Sequence, residues 1–103
     1  MTKSEQKAFA REILKDLDKA LKDFGTYTFD DKGPHEVMFI DDFTSRLKAL
    51  PYKEAAEVLK LVGEGRKDTR GETLRDTLVG SMDDAPLTDE QFEELLKISG
   101  AEY

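Results

Sequence analysis

The only histidine of the chain, His35, lies in a segment rich in carboxylates that could hold a metal ion. Asp30, Asp31 and Glu36 fall with it inside seven residues, and histidine is the commonest metal ligand. A catalytic zinc site, however, normally has three defined protein ligands, and the chain has no cysteine and no second histidine. We therefore interpret the segment as a polar turn before a helix, and we predict neither a metal site nor a cofactor.

Two Ser-x-x-Lys patterns could pair a nucleophilic hydroxyl with a basic amine. They lie at Ser4 and Lys7 and at Ser45 and Lys48. Two occurrences in a short, lysine-rich chain carry little information, and the companion motif that contains asparagine is excluded because the chain has no asparagine. We predict no catalytic residue and no enzymatic activity.

A short basic segment could bind phosphate or nucleic acid. It includes Arg66, Lys67, Arg70 and Arg75, and it begins beside Gly63 and Gly65. The glycines lack the spacing of a phosphate-binding loop, acidic residues interrupt the basic ones, and no aromatic stacking set accompanies them. A solvated helix face is the better interpretation, and we predict no nucleic-acid partner.

The negative charge of the chain is concentrated near its carboxyl end. The formal net charge is −7, yet residues 1–30 carry as many basic as acidic groups. Residues 82–103 carry one basic group, Lys97, against seven acidic ones. A field of one sign attracts basic protein surfaces and repels nucleic acid and anionic membranes. We predict a partner-binding acidic surface formed by Asp83, Asp84, Asp89, Glu90, Glu93 and Glu94.

Local signals predict helices over most of the chain. Thr2 and Glu5 form a capping box, and one apolar stripe follows at steps of three and four, made by Phe9, Ile13, Leu17, Leu21 and Phe24. A further apolar stripe follows Pro51, on a helix that is closed by Gly63 and Gly65. Asp68 opens a weaker helix that carries Leu74, Leu78 and Met82. Thr88 and Gln91 form a second capping box, before a helix that ends at Gly100.

Residues 26–40 leave two alternatives open. Residues 26–29 alternate with a period of two, and 37–40 could return as a second strand of a short β-hairpin. Alternatively, Pro34 occupies the first turn of a helix whose apolar stripe continues through Leu47 to Leu50. We favour the helix.

The sequence therefore predicts one acidic domain, residues 1–103, that is mainly α: a compact bundle of four to five antiparallel helices. The amino terminus lacks the apolar core of a signal peptide and no stretch is long enough to cross a bilayer, so we expect a cytoplasmic protein without a membrane partner. The favoured function is neutralisation or inhibition of a basic partner, as by the immunity protein of a bacterial nuclease-type toxin. The alternatives are an adaptor subunit that docks through an apolar helical face, and a nucleic-acid-mimicking inhibitor. The sequence leaves the oligomeric state open.

Overall fold

The computed structural model describes residues 2–24, 42–66, 69–82 and 85–101. Helices in this part of the chain are α1 (Lys3–Phe24), α2 (42–48), α3 (Tyr52–Glu64), α4 (Thr69–Ser81) and α5 (Asp89–Ser99). These ranges contain no strand, so the predicted mainly helical class is confirmed. The two alternatives for residues 26–40 fall outside the described residues.

The third helix, α3, packs against three of the other helices: α1, α4 and α5. Its buried side chains are small or β-branched at most positions, which lets neighbouring helices approach closely. They are Ala55, Ala56, Val58, Leu59 and Val62.

The radius of gyration, 12.8 Å, agrees with about 13 Å for a compact chain of 100 residues. None of the helices described here has the length and the hydropathy needed to cross a membrane.

The first helix begins at the predicted capping box. The Thr2 amide donates to Glu5 Oε1 at 3.0 Å, and the Glu5 amide donates to Thr2 Oγ1 at 3.1 Å. The hydrogen bond from the Thr2 amide lowers the pKa of Glu5, because it stabilises the ionised carboxylate. Phe9, Ile13 and Leu17 are buried, which confirms the apolar stripe over this part of α1.

A mixed aromatic and ionic contact joins α1 to α2. The rings of Phe9 and Phe43 lie 6.3 Å apart, and the Arg46 guanidinium lies 4.2 Å from the Phe9 ring centroid. Arg46 also donates to both carboxylate oxygens of Glu12, at 2.8 and 2.9 Å. This geometry combines a cation–π contact with a bidentate ion pair, and it fixes α2 against the flank of α1.

The end of α3 corrects one prediction. The sequence predicts that Gly63 and Gly65 close this helix, but α3 continues through Gly63, which is buried. Gly65 does cap the helix, as predicted: it follows the last helical residue and its amide donates to the Val62 carbonyl, at a φ of −77° in the right-handed region. The absence of a side chain at Gly63 instead leaves space for Arg75 of α4. The glycine therefore serves packing between helices and does not end one.

Leu74 and Leu78 of the fourth helix are buried, as predicted, and so is Met82, which directly follows the helix. Its hydroxyl groups bond back to the helix itself: Thr73, Thr77 and Ser81 each donate to the carbonyl four residues earlier. Such bonds offer the backbone a competing partner and weaken a helix slightly, so α4 depends on its buried side chains for stability. The predicted cap, Asp68, lies outside the described residues.

Candidate functional site

The helix that carries most of the predicted acidic surface, α5, is held at both ends. The Gln91 amide donates to Thr88 Oγ1 at 3.1 Å, and the Thr88 amide donates to Gln91 Oε1 at 3.0 Å. At the other end, Gly100 adopts a φ of 76° and its amide donates to the Leu96 carbonyl at 3.0 Å. Both predicted ends of this helix are confirmed. Capping at both termini keeps the acidic side chains on a defined helical frame.

Packing of α5 decides which of its carboxylates face solvent. Leu95 and Ser99 are buried, on the side where α5 packs against α3. Three acidic side chains on the other side are exposed: Asp89, Glu90 and Glu93. We call these three residues the acidic face of α5. Two further members of the predicted surface, Asp83 and Asp84, lie outside the described residues.

Glu94 differs from its acidic neighbours because it ties α5 to the start of α3. The Tyr52 hydroxyl donates to Glu94 Oε2 at 2.8 Å, and Lys53 Nζ lies 3.6 Å from Glu94 Oε1. The hydrogen bond to Glu94 raises the pKa of Tyr52, because it favours the protonated phenol. Glu94 is therefore partly neutralised by an interhelical contact.

The charge on the exposed side of α5 is consequently smaller than the sequence count indicates. Glu94 has Lys53 as an ionic partner, and Lys97 is exposed in the last turn. Glu93 and Lys97 are four residues apart, a spacing that places two side chains side by side on a helix. The acidic face of α5 is thus strongest in the first two turns, around Asp89 and Glu90.

Several charges of α1 lie on different flanks of the helix. Glu12 contacts Arg46 of α2, and Asp16 acts on the same guanidinium through space. Lys3, Lys7 and Arg11 instead line two adjoining clefts of about 350 and 380 Å³ between α1 and α3. The clefts share Lys7 and Leu61. We call them together the basic groove; its lining comprises Lys3, Gln6, Lys7, Ala10, Arg11, Leu14, Glu57, Leu61 and Gly65.

Sequence reasoning missed the basic groove because it counted the charges of residues 1–30 together. A partial signal was present: basic residues recur every four positions from Lys3 to Lys19, a spacing that places neighbouring side chains on one face of a helix, but only the first three line the groove. The apolar half of the groove had no such signal, because Leu61 comes from a helix about fifty residues away along the chain.

The basic segment after α3 does not form one positive surface among the residues described. Arg66 makes an ion pair with Asp18 of α1, and the Arg75 side chain is only 13% exposed, with Nε 3.1 Å from Asp76 Oδ1. Lys67 lies outside the described residues. Arg70, the third arginine of the segment that the structure describes, is exposed on α4. Arg70 therefore fits the predicted solvated helix face, whereas Arg66 joins the end of α3 to α1 and Arg75 is largely buried beside Gly63 of α3.

The candidate metal ligands of the sequence, His35 with Asp30, Asp31 and Glu36, also lie outside the described residues. In the ranges that the structure does describe, no three histidine or acidic side chains come together as a metal site would require. No protein-family model, no curated protein and no solved structure matches the chain. Two surfaces of the described residues are candidates for binding: the acidic face of α5 and the basic groove.

Proposed function

We propose that this chain is a small intracellular binding protein that neutralises or inhibits a basic partner protein, as the immunity protein of a bacterial nuclease-type toxin does. The observation that supports the proposal is the acidic face of α5. Its members Asp89, Glu90 and Glu93 are all exposed, on a helix that is capped at both ends. The proposal assigns no catalytic step to the chain.

Preorganised charge suits rapid capture of a partner. Carboxylates on a rigid frame lose little conformational freedom when they meet Lys or Arg side chains. A local field of one sign also steers a basic protein toward the surface before contact, which raises the association rate. An inhibitor that must reach its target before damage occurs benefits from this property.

The experiment compares two charge reversals of equal size. The test variant is Glu90→Lys/Glu93→Lys, and the control is Glu64→Lys/Glu72→Lys, at exposed acids of α3 and α4. Each pair removes one acid from the first turn of a helix, Glu90 or Glu72, so the effects of these two replacements on the helix dipole are matched. Partners are captured from a lysate of the source organism, and the association rate is then measured by stopped flow.

We expect the captured partner to have a surface rich in Lys and Arg, and to associate more slowly with the test variant than with the control. The association rate should also fall severalfold as salt shortens the Debye length from about 30 Å to about 8 Å. Circular dichroism checks that both variants remain helical. If the association rate changes neither with salt nor in the Glu90→Lys/Glu93→Lys variant, neutralisation through this surface is ruled out.

One observation favours the alternative function, an adaptor that docks through an apolar helical face. Leu14 and Leu61 are only half-buried and lie together in the basic groove. Side chains of this kind contribute binding energy when a partner covers them. The adaptor would retain its partner in the test above even when the acidic face of α5 is reversed.

A further inference from the structure

The basic groove has a regular row of cations along one side. Lys3, Lys7 and Arg11 are exposed, and they line the two adjoining clefts from the α1 side. Each is four residues from the next, so the row spans about 12 Å along the helix axis. Carboxylates spaced by one helical turn on a bound segment would meet these three side chains in register.

The floor of the groove is apolar. Leu14 from α1 and Leu61 from α3 are half-buried there, and the lining of both clefts exposes more apolar than polar surface. A Cβ atom at Gly65 would collide with the Leu14 side chain. The glycine therefore allows Leu14 to lie across the end of α3, where it extends the apolar floor.

We propose that the basic groove binds an acidic amphipathic peptide segment of a partner protein. In the complex, Asp or Glu side chains of the segment pair with Lys3, Lys7 and Arg11, while its apolar side chains cover Leu14 and Leu61. The cations of the groove complement the carboxylates of the segment, and they lie beside an apolar floor. A groove recognises an amphipathic segment by this combination. Burial of the leucines supplies the affinity, and the cations select the sign of the segment and its orientation.

Two features favour a peptide over a polyanion such as nucleic acid. Glu57 lines the same cleft as Lys3 and Lys7, and its carboxylate would repel a continuous row of phosphates. Among the described residues that line either cleft, none is aromatic, so this part of the floor offers no ring for the base stacking that helps to hold single-stranded nucleic acid. A peptide, in contrast, can place a neutral or basic residue beside Glu57.

The basic groove and the acidic face of α5 involve different residues of opposite charge. The inference about the groove therefore does not depend on the proposed function, and each can fail alone. Reversal of Glu90 and Glu93 tests one surface, and reversal of Lys7 and Arg11 tests the other.

The probe is a synthetic peptide of about twelve residues, long enough for three helical turns, that repeats two glutamates followed by two leucines. Its binding to the full chain is measured by fluorescence anisotropy. Two control peptides replace every glutamate by lysine or every leucine by serine. We expect both controls to bind at least about tenfold more weakly, because one loses the charge pairing and the other the apolar contact.

The test variant and the control variant of the protein each reverse two basic residues of α1. Lys7→Glu/Arg11→Glu should weaken binding of the acidic probe about tenfold or more. Lys15→Glu/Lys19→Glu, at exposed positions of α1 outside the groove, should leave the affinity within about twofold. Leu61→Ala should weaken binding severalfold while circular dichroism still shows a helical chain, which separates loss of contact from loss of fold.

Several results would overturn the proposal. They are absence of saturable binding, equal affinity for the lysine and glutamate peptides, and equal loss in the two charge-reversal variants. Sedimentation of the chain alone provides a further test: self-association that Lys7→Glu/Arg11→Glu abolishes would assign the groove to a second copy of this chain instead of a partner segment.

Discussion

The guanidinium of Arg75, on α4, lies over the backbone of Gly63, on α3. A Cβ atom at Gly63 would come within 2.6 Å of Arg75 Nη1 and 2.9 Å of its Cδ. A Cβ at Gly100, beyond the end of α5, would lie 3.7 Å from the same Nη1. One largely buried cation thus lies near the C-terminal ends of two helices, α3 and α5, where the helix dipole favours positive charge.

Replacement of Gly63 by alanine should destabilise the chain despite the better helix propensity of alanine. Alanine in a helix interior gains about 0.8–1 kcal/mol over glycine. Here the new methyl group would displace the Arg75 side chain, which is only 13% exposed and is bonded to Asp76, so it cannot simply swing into solvent. Overpacking of this kind typically costs about 1–3 kcal/mol. We expect a net loss in the free energy of unfolding, measured by urea denaturation.

A double-mutant cycle isolates the effect of the contact between residue 63 and Arg75 on the free energy of unfolding. When Arg75→Ala is already present, the collision is removed and only the propensity gain remains, so Gly63→Ala should then stabilise the chain. The same cost of Gly63→Ala in both backgrounds would show that Arg75 is not the cause.

The difference between Gly63 and the helix caps explains what the sequence could predict. The capping boxes at Thr2 and Thr88 depend on residues three positions apart, so their signals are local and readable. The role of Gly63 depends on Arg75, which follows twelve positions later and returns on another helix. A glycine near a predicted helix end has the same local signature whether it ends the helix or makes room for a neighbour.

Some features of the two candidate surfaces could likewise be predicted from local sequence, and others depend on packing between helices. The exposure of Asp89, Glu90 and Glu93 follows from the period of α5, which a sequence shows. The pairing of Glu94 with Tyr52 joins residues 42 positions apart, and only the packing of α5 on α3 creates it. The basic groove is likewise produced by packing, because its apolar floor combines Leu14 of α1 with Leu61 of α3.

The contact between Arg46 and Glu12 should make stability depend on pH in the acidic range. The hydrogen bond from Arg46 lowers the pKa of Glu12 in the folded chain. A depressed pKa contributes stability that is present above the unfolded value, about 4.3, and is lost as the pH falls through the folded value. Glu12→Gln should therefore lower the free energy of unfolding near neutral pH and have less effect at about pH 3.

The expected loss is modest, about 0.2–1 kcal/mol, because the Arg46 and Glu12 side chains are 42% and 51% exposed and solvent screens such pairs. The measurement is urea denaturation at both pH values, with Glu64→Gln, at an exposed position of α3, as the control. A loss that is unchanged at acidic pH would show that the variant acts through something other than the ion pair.

Glu93 and Glu94 are adjacent in sequence, yet we expect their replacements to have different effects. Glu94→Ala removes the acceptor of the Tyr52 hydroxyl and the partner of Lys53. The lost hydrogen bond should lower the free energy of unfolding. Glu93→Ala changes an exposed residue of the acidic face of α5 and should alter stability by less than about 0.5 kcal/mol. Association with a basic partner should slow more in Glu93→Ala than in Glu94→Ala.

The ionisation of Tyr52 provides a second measurement of the hydrogen bond between Tyr52 and Glu94. Its pKa is raised in the folded chain by the hydrogen bond to Glu94, so this contact stabilises the fold below the ordinary tyrosine value, about 10, and ceases to do so as the pH rises through the folded value. An ultraviolet titration, with Tyr52→Phe as the reference that identifies its signal, should show the pKa falling in Glu94→Ala and unchanged in Glu93→Ala. If Tyr52 ionises identically in both variants and their stabilities match, the hydrogen bond does not persist in solution, and Glu94 belongs with the acidic face of α5 as a fourth exposed carboxylate.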